Sequence, residues 1–156
     1  MNFHIRKARL SDAQQAFDIR NRAIMSQCIS AYGLKAMQKW TDGDLPSAFA
    51  EAFAANGYVM LNSSNTIIAT GMIDLQRGFV DALFVEPDYL NLGIGRKMLN
   101  YLEQLALNKG VKQLTLESTL NAKAFYQACG FMGDEVSVYH SPRGFDLDCV
   151  VMTKQL

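Results

Sequence analysis

The stretch FVDALFVEPDYLNLGIGRKMLNYLEQLAL, residues 79–107, decides the fold of this chain. Residues 80–85 are apolar and rich in β-branched and aromatic side chains, which is the pattern of a buried strand that Pro87 then ends. After Gly93 and Gly95, apolar residues recur with the spacing of a helix. The apolar positions of that helix are Met98, Leu99, Leu102, Leu105 and Ala106. The sequence therefore predicts a strand, a glycine-containing turn and an amphipathic helix in succession.

The junction before this helix has the properties of an anion site. The first turn of a helix leaves backbone N–H groups unpaired at the positive end of the helix dipole. Gly93 and Gly95 would let a phosphate approach the backbone closely, and Arg96 and Lys97 add positive charge. An ordinary tight turn, with Arg96 and Lys97 in water, accounts for the two glycines equally well.

Length and charge narrow the class of protein. The 156 residues suit a single domain over 1–156, and the 15 basic residues balance the 15 acidic ones. Because the chain has no net charge, we expect neither a nucleic acid nor a membrane as partner, so any anion site must be local. No apolar run is long enough to span a bilayer or to form the core of a signal peptide.

The cysteines are odd in number and lack the short paired spacing of a disulfide framework or a zinc site. They are Cys28, Cys129 and Cys149. We therefore expect a cytoplasmic protein without a bound metal, in which these thiols act as small apolar core groups.

The rest of the chain alternates between strand and helix patterns. Strands are predicted at residues 3–9, 58–61, 66–75, 113–118, 132–140 and 145–153, and helices at 12–27, 32–40, 46–56 and 122–129. A crossover through the central helix makes two strands parallel, whereas the hairpins make the others antiparallel. The predicted fold class is α/β (α+β), with a mixed, mostly antiparallel sheet of about seven strands and helices on both faces.

Three segments resemble the GNAT superfamily of N-acetyltransferases, which use acetyl-CoA, and the resemblance covers nearly the whole chain. The segments are Val85-Glu86-Pro87, Gly93-Ile94-Gly95 with Arg96, and AKAFYQACGF at residues 122–131. Two positions depart from the family pattern: Leu90 replaces a Gln or Arg, and Thr119 replaces an Asn that often contacts the cofactor. With Thr119, the stretch around residues 34–40 resembles a poorly characterised bacterial branch of the family.

The resemblance implies a splayed pair of parallel strands that holds the pantetheine arm of CoA, beside a loop that holds the pyrophosphate. A backbone N–H near Val85 would polarise the thioester carbonyl. The implied cofactor-binding residues are Leu83, Phe84, Val85, Leu90, Asn91, Leu92, Gly93, Ile94, Gly95, Arg96, Lys97, Thr119, Ala122 and Tyr126. Many members of the family dimerise, so the resemblance also allows a homodimer.

Acetyl transfer needs an oriented thioester, an unprotonated amine, a donor to the oxyanion and a proton for the leaving thiolate. Tyr126 occupies the family's tyrosine position, which makes it the candidate general acid. A core tyrosine between helix and sheet is the alternative.

The general base is less well defined by the sequence. Asp81 lies in an apolar strand, where alternation would put it on one face with Leu83 and Val85, and an unpaired buried carboxylate is costly. Asp81 is therefore the first candidate, with Glu117 as its competitor and Asp74 third. Alternatively, Asp81 binds the substrate amine or pairs with a cation without moving a proton.

The acceptor pocket is expected between the first two helices and the last hairpin, with Met25, Tyr32, Trp40 and Tyr139 as candidate lining. The predicted function is transfer of an acetyl group from acetyl-CoA to a primary amine of a small molecule or peptide, by direct attack through a tetrahedral intermediate. The departures at Leu90 and Thr119 favour the alternative of a catalytically idle CoA-binding or regulatory domain. A third possibility is an α/β domain without a phosphate ligand.

Overall fold

The structure is a computed structural model that describes residues 2–156. Seven strands form one sheet in the order β1-β2-β3-β4-β5-β7-β6. They are β1 His4–Lys7, β2 Gly57–Leu61, β3 Ile67–Asp74, β4 Phe79–Val85, β5 Gln113–Thr119, β6 Val136–His140 and β7 Asp146–Gln155. Neighbouring strands are antiparallel except for β4 and β5, which are parallel. The predicted mixed, mostly antiparallel architecture is confirmed.

Six α-helices cover the two faces of this sheet. They are α1 Ala13–Gln27, α2 Ile29–Tyr32, α3 Leu34–Thr41, α4 Ser47–Asn56, α5 Ile94–Asn108 and α6 Lys123–Ala128. On one face, α5 and α6 pack on residues such as Val80, Leu116 and Met152. On the other, α1 and α4 pack on Val59 and Met72. No helix of residues 2–156 is long and apolar enough to cross a membrane.

Two predicted elements were wrong in their boundaries, and glycines explain both. The helix predicted over residues 32–40 is broken into α2 and α3 at Gly33, whose φ of +89° is not helical. The strand predicted from residue 132 begins at Val136 instead. Gly133 lies so close to β7 that a Cβ there would be 2.2 Å from the Val151 carbonyl oxygen, and Met132 makes only an isolated bridge to Thr153.

The parallel strands β4 and β5 separate after a short paired segment. Their register pairs Phe79 with Thr115 and Val80 with Leu116, and the described structure has no pairing between the two strands beyond these residues. β5 continues to pair with β7 up to Thr119. The sheet therefore opens into a gap between residues 82–85 of β4 and 117–119 of β5.

Candidate active site

The start of α5 presents a run of open backbone amides. Gly93 is the N-cap residue in a left-handed conformation, with φ of +77°, and no side chain caps the helix. None of the amides of residues 91–96 donates a hydrogen bond to residues 2–156, whereas the Lys97 amide donates to Gly93 O at 3.0 Å. Consecutive unpaired N–H groups at a helix N-terminus form an anion site.

Three residues predicted in the loop offer different groups to an anion. The Ile94 side chain is buried, so that only its amide remains available, whereas Leu92 is exposed. The Leu90 amide donates to Pro87 O at 3.3 Å, and its side chain offers no polar group. The loop therefore has the amides of residues 91–96 free but lacks a polar side chain at its leading position, Leu90.

The two cations after the loop lie at the surface. The Arg96 guanidinium donates to the carbonyl of Ala128 at the end of α6, at 3.0 Å. The Lys97 Nζ lies 5.3 Å from the ring centroid of Phe3. Both residues therefore belong to the exposed first turn of α5, while their side chains contact neighbouring segments.

Gly95 permits three elements to converge at this point. A Cβ at Gly95 would lie 3.2 Å from Cζ of Phe125 on α6 and 3.6 Å from Cγ2 of Val85 on β4. A side chain here would push α6 away from the first turn of α5. The glycine thus serves close packing as well as the approach of a ligand.

Strand alternation decides which backbone groups of β4 face the gap. The Glu86 amide donates to Ile68 O at 2.8 Å, so the even residues of this part of β4 bond to β3. The backbone groups of Leu83 and Val85 therefore point away from β3 toward the gap. The backbone of Phe84 is used by β3, and its side chain packs on the α1 face.

Tyr126 lies in the core below the point where the strands separate. Its side chain belongs to the cluster that contains Val80 and Leu116, the last paired residues of β4 and β5. Its ring packs edge-on against Phe125 and Phe131, with centroids 5.1 and 5.8 Å away. Burial raises the pKa of Tyr126, so the hydroxyl is protonated at neutral pH.

The Tyr126 hydroxyl makes no hydrogen bond with residues 2–156, although 91% of the residue is buried. Within this part of the chain, every side-chain oxygen or nitrogen that is fully occluded does have a partner. The hydroxyl is therefore partly accessible and free to donate to a ligand.

Asp81 lies at a β-bulge, where regular alternation does not decide the face of the sheet that its side chain takes. The register shift between Met72 and Ile73 leaves Asp81 as the extra residue of β4. Val80 and Leu83 both pack on the α5 face, which a regular strand does not allow for residues three apart.

Solvent reaches Asp81, and partial desolvation raises the pKa of its carboxyl. Arg77 opposes this rise and Asp74 adds to it. Asp74 itself accepts hydrogen bonds from the amides of Gln76 and Arg77 at 3.0 and 3.1 Å. It therefore shapes the turn between β3 and β4.

Glu117 follows Leu116, the last residue of β5 that pairs with β4, and its side chain points to the α3 side of the sheet. Its Oε2 accepts a hydrogen bond from the Cys149 thiol at 3.4 Å. Burial, and then this hydrogen bond and charge, raise the pKa of Cys149 to about 11. The thiol stays protonated at neutral pH and leaves the second oxygen of Glu117 open.

Thr119 and Ala122 both lie at the end of β5, but they face opposite sides of the sheet. The Thr119 and Asn121 side chains lie against the Cys28 thiol, whose pKa is raised by burial and lowered by these two contacts. Ala122 instead packs on the core cluster around Tyr126. The Thr119 side chain therefore faces the α1–α2 side.

The four predicted acceptor-pocket residues do come together. Met25, Tyr32, Trp40 and Tyr139 pack in one cluster that Phe84 of β4 also reaches. The Tyr32 hydroxyl donates to Asp148 O at 2.5 Å and accepts from the Leu120 amide at 2.9 Å. It thereby joins α2 to the ends of β5 and β7.

Sequence reasoning missed Cys149, Arg20 and Arg143 on this side. Arg20 follows Ile19 in an otherwise regular helix, and Arg143 lies in a hairpin turn, so neither position has a motif. A signal was present for Arg20: its place on α1 is close in helical spacing to core residues Phe17 and Ala23.

Comparisons with known proteins agree with this geometry. The family model "Acetyltransferase (GNAT) family" matches residues 23–131. A curated relative, the "Uncharacterized N-acetyltransferase YafP" of Escherichia coli K12, is 27% identical over 131 residues, which are 83% of this chain and 81% of the relative.

Two solved structures show the same fold. The GCN5-related N-acetyltransferase "Aminotransferase, Class-II" from Rhodopseudomonas palustris has a TM-score of 0.90 at 21% identity, covering 100% of this chain and 97% of the other. The PaiA N-acetyltransferase from Thermoplasma acidophilum, in complex with coenzyme A, has a TM-score of 0.73 at 16% identity, covering 100% of both chains. Because the family model matches well over half of its residues, this chain belongs to the acetyltransferase (GNAT) family.

Proposed function

We propose that this protein transfers the acetyl group of acetyl-CoA directly to a primary amine of a small molecule or peptide. The observation that carries the proposal is the run of open amides over residues 91–96 beside the gap between β4 and β5. The amides suit a diphosphate, and the gap suits an extended arm that adds to the edge of a strand. A relative of known fold, PaiA, has been solved with coenzyme A.

The chain fits the cofactor through backbone groups more than through side chains. The amides of residues 91–96 would hold the diphosphate, with Arg96 and Lys97 adding positive charge. The backbone groups of Leu83 and Val85 would pair with the pantetheine arm, and the Val85 N–H would polarise the thioester carbonyl. Thr119 and Ala122 would border the arm on the β5 side.

The reaction needs a proton donor and a proton acceptor, and we assign them to side chains on opposite faces of the sheet at the gap. The amine nitrogen attacks the thioester carbon, the C–S bond breaks, and the sulfur takes a proton. Tyr126, protonated and without a partner, would donate that proton. Glu117, whose second oxygen is open, would accept the proton of the amine directly or through a water. Asp81, near Arg77 and Asp74, is the competing base.

We place the reaction in the cytoplasm, since Cys28, Cys129 and Cys149 are free thiols in the core. Among residues 2–156, no group of three or more His, Cys, Asp or Glu is arranged to hold a metal ion. The reactants of the proposed reaction are acetyl-CoA and an amine.

The test is steady-state acetyl-CoA turnover with a panel of primary amines, comparing Tyr126→Phe with the native chain. We expect kcat to fall about 100-fold, because general acid catalysis contributes a factor of this order, while the CoA dissociation constant stays unchanged. The matched control is Tyr101→Phe, since Tyr101 lies on α5 against Tyr58 with centroids 5.5 Å apart. We expect that control to keep its kcat.

Two results would contradict the proposal. If Tyr126→Phe keeps its kcat where chemistry limits turnover, Tyr126 is not the acid. If CoA binds in calorimetry but no amine is acetylated, the protein is a CoA-binding domain without transferase activity.

A further inference from the structure

Arg20 is a half-buried cation that has no acidic partner among the residues that the structure describes. Its Cζ lies 5.6 Å from the ring centroid of Phe17 and 5.4 Å from that of Trp40. Its Nη1 donates to Asn21 Oδ1 at 2.7 Å and makes a long contact of 3.4 Å with the Trp40 carbonyl oxygen. Within residues 2–156 no carboxylate forms an ion pair with it. Burying a charge in this way is costly unless something compensates it.

A second guanidinium approaches the same ring. The Cζ of Arg143, from the turn between β6 and β7, lies 5.9 Å from the Phe17 centroid. Arg143 donates to the carbonyl of Asp42 and likewise has no ion pair in the described part of the chain. Burial first, and then the charge of Arg143, lower the pKa of Arg20 to about 10. Arg20 is therefore cationic at neutral pH, and its charge is repelled by that of Arg143.

The pair of arginines lies on the acceptor side of the gap. Tyr139 packs against Trp40, with centroids 6.1 Å apart. Burial raises the pKa of the Tyr139 hydroxyl, Glu117 adds to the rise, and Arg20 opposes it. Tyr139 is thus close enough to Glu117 at the gap and to Arg20 to respond to both charges.

A purely structural role explains these arginines poorly. The contact of Arg20 with the Trp40 carbonyl is too long to be a strong hydrogen bond. If Arg20 only supported the structure, a second cation, Arg143, beside the same Phe17 ring would add no stability. An incoming anion, by contrast, would relieve both the repulsion and the desolvation, and guanidinium groups bind carboxylate and phosphate oxygens in a defined geometry.

We propose that the acceptor amine also carries an anionic oxygen group, a carboxylate or a phosphate, and that Arg20 and Arg143 bind this group. The proposal rests on the proposed function, because it takes Glu117 to mark the place of the amine. The substrate then spans from the gap, past Tyr139, to the arginine pair. Arg20 and Arg143 select the substrate and take no part in the chemistry.

The kinetic test compares matched amines. A series of ω-amino carboxylates of increasing chain length is set against the corresponding carboxamides, with aminoalkyl phosphates as a third arm. We expect kcat/KM for the best anion to exceed that of its carboxamide by at least about 10-fold, since a hydrogen bond to a charged group is stronger than one to a neutral amide. The series with the highest kcat/KM identifies the anionic group.

Variants separate recognition from stability. Arg20→Gln and Arg143→Gln are each expected to lower kcat/KM for the anionic amine about 10-fold or more and to leave the carboxamide nearly unchanged. A structural role would lower both rates together. Arg9→Gln, at an exposed arginine before α1, is the control and should change neither.

A binding test is independent of turnover and of CoA. Trp40 is the one tryptophan of the chain, and it contacts Arg20. Its fluorescence should change to saturation with the anionic amine, respond weakly to the carboxamide, and lose the response in Arg20→Gln. If no amine is acetylated but this response occurs, the proposed function fails and the anion site stands. Equal rates and equal fluorescence responses for anion and carboxamide would overturn the inference.

Discussion

The two sides of the gap between β4 and β5 are built in different ways. On the cofactor side, most of the candidate contacts are backbone groups within one continuous stretch, from Leu83 to Arg96. On the acceptor side, they are side chains from separate segments, with Arg20 on α1, Trp40 on α3 and Glu117 on β5. A backbone site is fixed by secondary structure alone, whereas a side-chain site exists only once distant segments have packed.

This difference suits the two proposed ligands. The proposed diphosphate is the same whichever amine is acetylated, so main-chain amides and a glycine at positive φ can hold it regardless of neighbouring side chains. The acceptor differs between enzymes, and side chains on loops and short helices can change without disturbing the sheet. The comparison therefore predicts that the two sides respond separately to mutation.

The largest expected effect is on the cofactor side. Gly93→Asp places a negative charge among the open amides, at a residue with φ of +77° and no atom within 4 Å of an added Cβ. We expect CoA affinity to fall about 100-fold in titration calorimetry, because like charges a few ångströms apart near a protein surface repel by about 3 kcal/mol. Undiminished affinity would show that the diphosphate binds elsewhere.

Gly110 offers a matched control at the other end of the same helix. It also has a φ of +77° and open space around an added Cβ. Gly110→Asp should therefore suffer a similar backbone strain, and a small loss from the helix dipole, while keeping its CoA affinity. A comparable loss of affinity in both variants would attribute the effect to the stability of α5 instead of to the amides.

The same contrast explains what could be predicted from the sequence. Local patterns predict the strand, the glycine-containing turn and the central helix, whereas Tyr126 is identified through the family resemblance. The bulge at Asp81 carries no local signal, because the extra residue is defined only by the partner strand β3. The contact between Glu117 and Cys149 joins residues 32 positions apart, and no spacing rule links them.

Variants of the two candidate bases test whether a residue of the acceptor side accepts the proton of the amine. We expect Glu117→Gln to lower kcat about 100-fold, because it removes the proton acceptor but keeps the shape of the side chain. Asp81→Asn should lower it only slightly, since that carboxylate faces Arg77 and Asp74. The measurement is the pH dependence of kcat for both variants with one amine.

The opposite result has a distinct signature. If Asp81 is the base, activity requires its ionised form, and the raised pKa of this carboxyl moves the acid limb of the profile to higher pH than an ordinary carboxyl would. Asp81→Asn would then abolish that limb, and Glu117→Gln would leave it in place.

The smallest expected effect is at Tyr32, which tests whether the two sides are separable. Tyr32→Phe removes the hydroxyl that joins Asp148 O and the Leu120 amide across the ends of β7 and β5. We expect the free energy of unfolding, from urea titration, to fall by about 1 kcal/mol, because the exposed Leu120 amide can turn to water. KM for the amine should rise and CoA affinity should hold, since the Tyr32 hydroxyl bonds to residues at the ends of β7 and β5 and to none in the turn before α5. The control is Tyr101→Phe, which loses no hydrogen bond within residues 2–156 and should change stability less. If CoA affinity instead falls together with stability, the end of β5 couples the acceptor side to the cofactor side. The two sides would then form one cooperative site.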